Sequence, residues 1–296
     1  MANRDIARVR EHLSKLPPTD TISVAEQRAQ YERAEKAFPI SPEIKVERVT
    51  APIAPAEWLR PPSAEAGRVV LYLHGGGYVI GSPRSHRHLA AAIAGAAAAS
   101  ALVPDYRRAP EDPFPAAVDD AVTCYRWLID QDVSPDRIVI AGDSAGGGLT
   151  VATLVALRDA EVRLPAGAVC ISPWTDLTLS GESYRTKAAV DPIVTRPGIE
   201  RMAAAYLGAT DPRTPLASPL FADLRGLPPL LIHVGSDEVL LDDAVQLAAR
   251  AKAAGVTATL EVWERMIHVW HWFFPMLEEG DRAIQEIGEF CRRQTR

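Results

Sequence analysis

The sequence predicts an α/β fold in which one mostly parallel sheet is covered by helices on both faces. Short runs rich in Val, Ile and Leu take turns along the chain with longer helical patterns. The apolar runs show little alternation with polar residues, as expected of strands that are buried on both faces. No long linker interrupts the 296 residues, so we expect a single domain over residues 1–296.

The strands and helices follow from these patterns in chain order. Residues 1 to about 40 are typical of one or two amphipathic helices. The predicted strands are EIKVERVTAP, GRVVLYLH, ALVPDY, RIVIAG, AGAVCIS, PLLIHVG and TATLEVW. The predicted helices between them include LAAAIAGAAAASALV, which feeds a strand at its end, and AAVDDAVTCYRWLID, GLTVATLVALRDA and DDAVQLAARAKAAG.

One segment, residues 177 to about 215, departs from this alternation. It is helical, mixed in polarity and longer than an ordinary connection. An insertion of this kind over the carboxyl ends of the strands predicts a cap. We expect residues 1 to about 45 to complete that cap.

Composition and charge exclude several classes of protein. The formal net charge is −6 and no basic run occurs, which argues against binding to nucleic acid or to anionic membranes. The charged N-terminus lacks the apolar core of a signal peptide, and no apolar run reaches the length of a membrane span. The three cysteines, at no metal-like spacing, indicate buried, reduced thiols. We therefore expect a cytoplasmic protein without membrane insertion.

The segment Gly142-Asp-Ser-Ala-Gly146 fits the pattern G-x-S-x-G. It lies directly after a predicted strand and at the start of a predicted helix, where the pattern forms a sharp turn that exposes the serine hydroxyl. This placement predicts Ser144 as a nucleophile. A glycine-rich turn that binds a phosphate, or that only turns the chain, is the alternative.

A second glycine cluster, His74-Gly-Gly-Gly77, also follows a predicted strand. Consecutive glycines leave their N–H groups free to point at one position, as in an oxyanion hole. A dinucleotide-binding loop is the competing interpretation, but Ile80 stands where its third glycine would be required. We expect the N–H groups of Gly75, Gly76 and Ala145 to bind an oxyanion.

Together these motifs resemble the bacterial relatives of hormone-sensitive lipase, within the α/β-hydrolase fold. The resemblance also includes DYRRAPEDPFPAA (residues 105–117), SPW (residues 172–174) and SPLFADLRGLPPLLI (residues 218–232). It covers nearly the whole chain. It implies an eight-stranded sheet capped by helices from the N-terminus and from an insertion after the sixth strand.

In this fold the catalytic residues follow the chain order serine, acid, histidine. His74, His86 and His88 precede Ser144 and therefore fail that order. We expect His86 and His88 to be solvated at a helix start, and His233 to be a core residue within its strand. His268 lies in the loop before the last helix, where the family has its histidine, and is the predicted base; His271 is the alternative.

The acid is either Asp237 or Glu238, which stand side by side after a strand. The family pattern is carboxylate-x-Leu-x-Asp, and only Glu238 fits it, with Leu240 and Asp242 at the required places. Glu238 is therefore the predicted acid, and Asp237 remains the alternative. We expect Asp242 and its neighbour to start the following helix.

The predicted function is hydrolysis of carboxylic esters through an acyl-enzyme, with Ser144, His268 and Glu238 as the triad. No metal or organic cofactor is indicated. The resemblance implies short-to-medium acyl esters as substrates and a homodimer formed through an edge strand and the last helices. Residues expected to line the substrate pocket are Trp174, Tyr184 and Ile193, with ordinary packing as the alternative for each. A non-catalytic receptor for small ligands on the same fold, and a lactone or amide hydrolase with the same triad, remain as alternatives.

Overall fold

A computed structural model describes residues 4–15, 22–49 and 54–296 of the chain. Eight strands form one sheet in the order β1-β2-β4-β3-β5-β6-β7-β8. The strands are β1 Lys45–Val49, β2 Ala56–Arg60, β3 Val69–Leu73, β4 Ser100–Pro104, β5 Ile138–Asp143, β6 Gly167–Ile171, β7 Leu230–Gly235 and β8 Ala258–Trp263. Pairing from β4 through β8 is parallel, while β2 is antiparallel to both β1 and β4. The predicted fold class is confirmed.

Helices cover both faces of the sheet, and each face is lined by alternate residues of the strands. Leu71 and Leu73 of β3 belong to the core shared with one set of helices, whereas Val70 and Tyr72 belong to the core on the other face. The first face carries α5 Ala116–Asp130, α6 Ala145–Asp159 and α9 Leu241–Ala253. The second carries α4 Pro83–Ala97 and α10 Glu278–Gln294.

Strand β2 was absent from the strands predicted by pattern. Its sequence, AEWLR, is short, follows a proline and mixes charged with apolar residues. The strand is nevertheless buried because Glu57 is paired with Arg87 of α4 (Oε1 to Nη2, 2.8 Å). Because the shorter ion pair of this charge is with a residue of α4, 30 positions away, a local pattern does not reveal the strand.

Two groups of helices lie outside the sheet and the helices that cover its faces. The N-terminal group consists of α1 Arg4–Ser14, α2 Val24–Tyr31 and α3 Ala34–Ala37. The insertion between β6 and β7 contains α7 Ser183–Thr186 and α8 Arg196–Leu207. Arg10 of α1 joins the two groups and the loop after β7, because its guanidinium donates to the carbonyl oxygen of Val190 (2.8 Å) and to Asp237 (2.7 Å). Parts of the predicted N-terminal cap, residues 1–3 and 16–21, lie outside the described residues.

Among the described residues, none of the helices combines the length and the apolar character that crossing a membrane requires. The apolar run over residues 89–103 divides instead between α4 and β4. All three cysteines are buried free thiols.

Candidate active site

Ser144 lies at the turn between β5 and α6, with φ 53° and ψ −121°. A positive φ is strained for a serine, and the two glycines around it explain how the turn is tolerated. A Cβ at Gly142 would collide with the carbonyl of Gly146, and a Cβ at Gly146 would collide with the carbonyl of Leu73. The sequence therefore folds here into a tight turn that leaves Ser144 half-buried at the first turn of a helix.

The backbone of Ser144 is fixed by the segment that follows β6. Its N–H donates to the carbonyl oxygen of Ile171 (2.8 Å), and its carbonyl accepts the N–H of Trp174 (2.9 Å). None of the described residues forms a hydrogen bond with the Ser144 hydroxyl. The hydrogen bond between a catalytic serine and its base often tightens only when substrate is bound.

Glu238 and His268 form a buried pair that contacts the segment after β6 through Ser172. Glu238 Oε2 lies 2.7 Å from His268 Nδ1, and the Glu238 side chain is fully buried. Its other oxygen, Oε1, accepts the hydroxyl of Ser172 (2.8 Å) and the N–H of Gly235 (2.6 Å). The Ser172 hydroxyl in turn accepts the N–H of Val269, the residue after His268 (3.1 Å).

Ser172 is a site residue that sequence reasoning missed. It was noticed only as part of the SPW motif, yet its hydroxyl joins the Glu238 loop to the His268 loop. Its φ of 44° places it in the left-handed region, which is uncommon for serine. The SPW motif directly after a predicted strand was the available signal.

The two candidate acids point in different directions. Glu238 faces His268, whereas Asp237 Oδ2 pairs with Nη2 of Arg10 at 2.7 Å and is partly exposed. No hydrogen bond or ion pair joins Asp237 to His268 in the part of the chain that the structure describes. The geometry therefore favours Glu238 as the partner of the imidazole.

The environment of His268 favours its charged form. Burial alone would lower the pKa of His268, but the hydrogen bond and charge of Glu238 outweigh burial, with further contributions from Asp191 and Asp143. The net pKa of His268 lies above its ordinary value. An imidazole in this setting accepts a proton readily when one is released nearby.

The glycine loop after β3 requires a correction of the predicted donors. The N–H of Gly75 donates to Asp143 Oδ1 at 3.1 Å, so this group is already engaged and its prediction as an oxyanion donor is wrong for this structure. In contrast, the N–H groups of Gly76 and Gly77 find no acceptor among the described residues. These two glycines have φ of 114° and 61°, conformations that side chains rarely adopt. The N–H of Ala145, in the first turn of α6, is likewise without an acceptor there, as expected at a helix start.

Asp143 holds this loop in place from beneath. Its carboxylate accepts the hydroxyl of Tyr72 (2.7 Å) as well as the Gly75 N–H, and His86 Nε2 lies 3.5 Å from its other oxygen. Although burial by itself raises the pKa of Asp143, its contacts with His86 and Tyr72 bring the pKa below the ordinary value. The residue before Ser144 is thus a buried, charged anchor of the glycine loop.

Apart from His12, which is exposed on α1, the remaining histidines are core residues. His86 and His88 are 1% and 4% exposed, so the prediction that they are solvated is wrong: both lie in α4 beneath the N-terminal helices. His233 and His271 are fully buried and contact each other, Nδ1 to Nε2, at 3.1 Å. Burial lowers the pKa of both, that of His233 to about 3, which suits a neutral pair rather than a base.

The three residues predicted to line a substrate pocket have different surroundings. Trp174 is buried beside the Ser144 turn, and its indole N–H donates to the carbonyl of Asp176 (3.2 Å). The Tyr184 hydroxyl donates to Asp243 (2.9 Å), in the interior between the insertion and α9. Ile193 is half-buried and packs on the core group that contains Met266 and Ile267. Within the described ranges no three side chains of the types that bind metals come together.

The chain is similar to known proteins over most of its length. A protein-family model described as "alpha/beta hydrolase fold" matches residues 70–272. An acetyl-hydrolase of Streptomyces hygroscopicus is 51% identical over 295 residues, which covers 100% of this chain and 98% of that protein. The carboxylesterase/phospholipase LipF of Mycobacterium tuberculosis is 36% identical, with 83% of this chain and 69% of LipF covered. A crystal structure described as an esterase from the bacterial hormone-sensitive lipase (HSL) family superposes with a TM-score of 0.94 at 51% identity, over 99% of this chain and 97% of that one.

Proposed function

Because the chain belongs to the bacterial hormone-sensitive lipase family of the α/β-hydrolase fold and is a hydrolase of the esterase type, we propose that it cleaves carboxylic esters with Ser144, His268 and Glu238. The observation that carries this proposal is the 2.7 Å contact between His268 and a fully buried Glu238, next to the strained turn that presents Ser144. Such a carboxylate orients an imidazole and stabilises its protonated form.

In the acylation step, Ser144 Oγ attacks the ester carbonyl carbon while His268 Nε2 takes the hydroxyl proton. Glu238 stabilises the imidazolium that results. The tetrahedral intermediate then collapses: the bond to the alkoxy oxygen breaks, His268 returns the proton to that oxygen, and the alcohol leaves. The acyl group remains on Ser144.

The negative oxygen of the intermediate is bound by the N–H groups of Gly76, Gly77 and Ala145 in this proposal. The assignment is supported because these N–H groups find no acceptor among the described residues, and because the positive end of α6 lies beneath them. Deacylation repeats the sequence with water: His268 takes a proton from water, the hydroxyl attacks the acyl carbon, and Ser144 regains its proton as the acid leaves.

We propose short acyl groups, acetyl above all, as the substrates. The similar Streptomyces protein is named an acetyl-hydrolase. Within this chain, the sulfur of Met202 in α8 lies so close to Gly77 that a Cβ there would collide with it. Met202 therefore packs against Gly77 from the insertion side. We propose that the cap, formed by the N-terminal helices and residues 177–215 of this single domain, limits the space for the acyl group there.

The test is turnover of p-nitrophenyl acetate by the purified protein and covalent labelling with a serine-directed phosphonate. We expect one phosphonate per chain, attached to Ser144 and stopping turnover in proportion to labelling. Labelling at another residue would contradict Ser144 as the nucleophile. A protein that binds the ester without cleaving it would favour the receptor alternative.

Asp143 gives a second prediction at the same site. Asp143→Asn should lower kcat for p-nitrophenyl acetate about tenfold, with KM within about twofold, because the glycine loop loses its charged anchor and oxyanion donors act mainly in the transition state. Tyr72→Phe is the matched control, since it removes one hydrogen bond to the same carboxylate but keeps the charge. An unchanged kcat in Asp143→Asn would contradict the anchoring role.

A further inference from the structure

Asp191 is a nearly buried carboxylate in the insertion, between α7 and α8, with 8% of its surface exposed. It accepts three backbone N–H groups: Oδ1 those of Ile193 (2.9 Å) and Val194 (3.0 Å), and Oδ2 that of Val239 (2.9 Å). Among the described residues no Lys or Arg forms an ion pair with it. Arg10, the nearby cation, binds the carbonyl of Val190 and the carboxylate of Asp237 instead.

The third of these hydrogen bonds ties the insertion to the loop that carries Glu238. Val239 directly follows Glu238, so the carboxylate of Asp191 holds the backbone of that loop from the insertion side. Ser172 and Gly235 hold the Glu238 side chain from the sheet side. The position of Glu238 therefore depends on contacts from both the insertion and the sheet. Because Glu238 contacts His268, the position of His268 depends on them as well.

The charges that act on His268 come from three elements. They are Glu238 from the loop after β7, Asp191 from the insertion, and Asp143 from the end of β5. The effect is mutual: burial raises the pKa of Asp191, whereas the charge of His268 and the three N–H groups oppose that rise. A negative group held near an imidazole stabilises its protonated form.

We propose that Asp191 is a positioning residue of the reaction, through which the insertion holds the Glu238 loop at Val239 and stabilises the imidazolium of His268. The inference rests on the proposed function, because His268 must take a proton from Ser144 and later from water. This role explains a buried carboxylate that has no ion pair among the described residues and that accepts three N–H groups, one of them that of Val239.

The experiment compares Asp191→Asn with wild type in the pH dependence of kcat and kcat/KM for p-nitrophenyl acetate. With the charge removed, the imidazolium is less stabilised, so the pKa of His268 falls and the acidic limb of kcat/KM moves to lower pH. At the plateau, kcat should drop about tenfold, since the same imidazolium forms in the transition state, while KM changes little. A general loosening of the structure would lower activity without moving the limb in this direction.

Asp176→Asn is the matched control. Asp176 is another buried carboxylate between β6 and β7 that accepts backbone N–H groups, those of Thr178 (2.8 Å) and Ser180 (3.1 Å). It has no hydrogen bond to Val239 among the described residues. The acidic limb of kcat/KM in Asp176→Asn should stay at the wild-type position. Asp191→Glu keeps the charge and should retain the wild-type limb. Rates are expressed per site titrated with the phosphonate, so unfolded molecules do not count.

An NMR titration of the wild-type protein tests the proposal even if the variants do not fold. The carboxyl ¹³C resonance of Asp191 should show an inflection at the pKa of His268. A limb that does not move in Asp191→Asn, an equal shift in Asp176→Asn, or a resonance without that inflection would overturn the proposal. Phosphonate labelling of Ser144 in wild type tests the proposed function separately, so the two failures are distinguishable.

Discussion

Ser144→Ala should reduce kcat for p-nitrophenyl acetate by about four to six orders of magnitude, because no acyl-enzyme can form without the hydroxyl. The residual rate would come from substrate binding and the oxyanion donors alone. Stopped assays measure the kcat of the variant relative to that of wild type, and an active-site titration gives the concentration of active wild-type enzyme. The variant should also lose labelling by the phosphonate.

Folding should be unaffected by this change. Alanine and serine share the same difficulty with the φ of 53° at this turn, and none of the described residues bonds to the Ser144 hydroxyl. The melting temperature should therefore remain close to that of wild type. Ser134→Ala is the control, since Ser134 is exposed before β5, at the opposite end of that strand. Retention of more than about one hundredth of the activity in Ser144→Ala would exclude Ser144 as the nucleophile.

Glu238→Gln should lower kcat by about three to four orders of magnitude. The amide has nearly the same shape, but it cannot stabilise the imidazolium, and one of its polar ends must present N–H groups to a site built for an acceptor. Glu238 is fully buried with both oxygens engaged, so water cannot replace the lost charge. Steady-state kinetics on p-nitrophenyl acetate measures the loss.

Asp237→Asn is the neighbouring control. The ion pair of Asp237 with Arg10 is partly exposed, and such pairs contribute little to stability. We expect kcat to remain within about threefold of wild type. The melting temperature should be slightly lower, because α1 loses one of its contacts to the loop after β7. If Asp237→Asn abolished turnover and Glu238→Gln did not, the assignment of the acid would be reversed.

Local patterns predict the elements that are buried without help from distant residues. The helix predicted as AAVDDAVTCYRWLID is α5, Ala116–Asp130, and the strand before the serine turn is β5. The G-x-S-x-G pattern is equally local, because the glycines are required by the turn itself. In contrast, β2 was missed and His86 was misjudged, since each is buried with a partner far away in the sequence.

The choice between adjacent residues also depended on distant contacts. A family pattern favoured Glu238 over Asp237, but the physical reason is that Arg10, 227 positions away, draws Asp237 outward while Ser172 and Gly235 hold Glu238 inward. The N–H groups that remain free in the glycine loop likewise depend on Asp143, whose carboxylate accepts the N–H of Gly75.

The sequence by itself determined the alternation of strands and helices, the serine turn and the two loops that supply a carboxylate and an imidazole. These depend on backbone conformation and on burial patterns that repeat within a few residues. Only the tertiary structure decided which N–H groups are free, which carboxylate meets His268, and that Asp191 of the insertion binds the Glu238 loop. Those outcomes follow from directional hydrogen bonds between segments far apart in the chain, and no local pattern encodes where such segments meet.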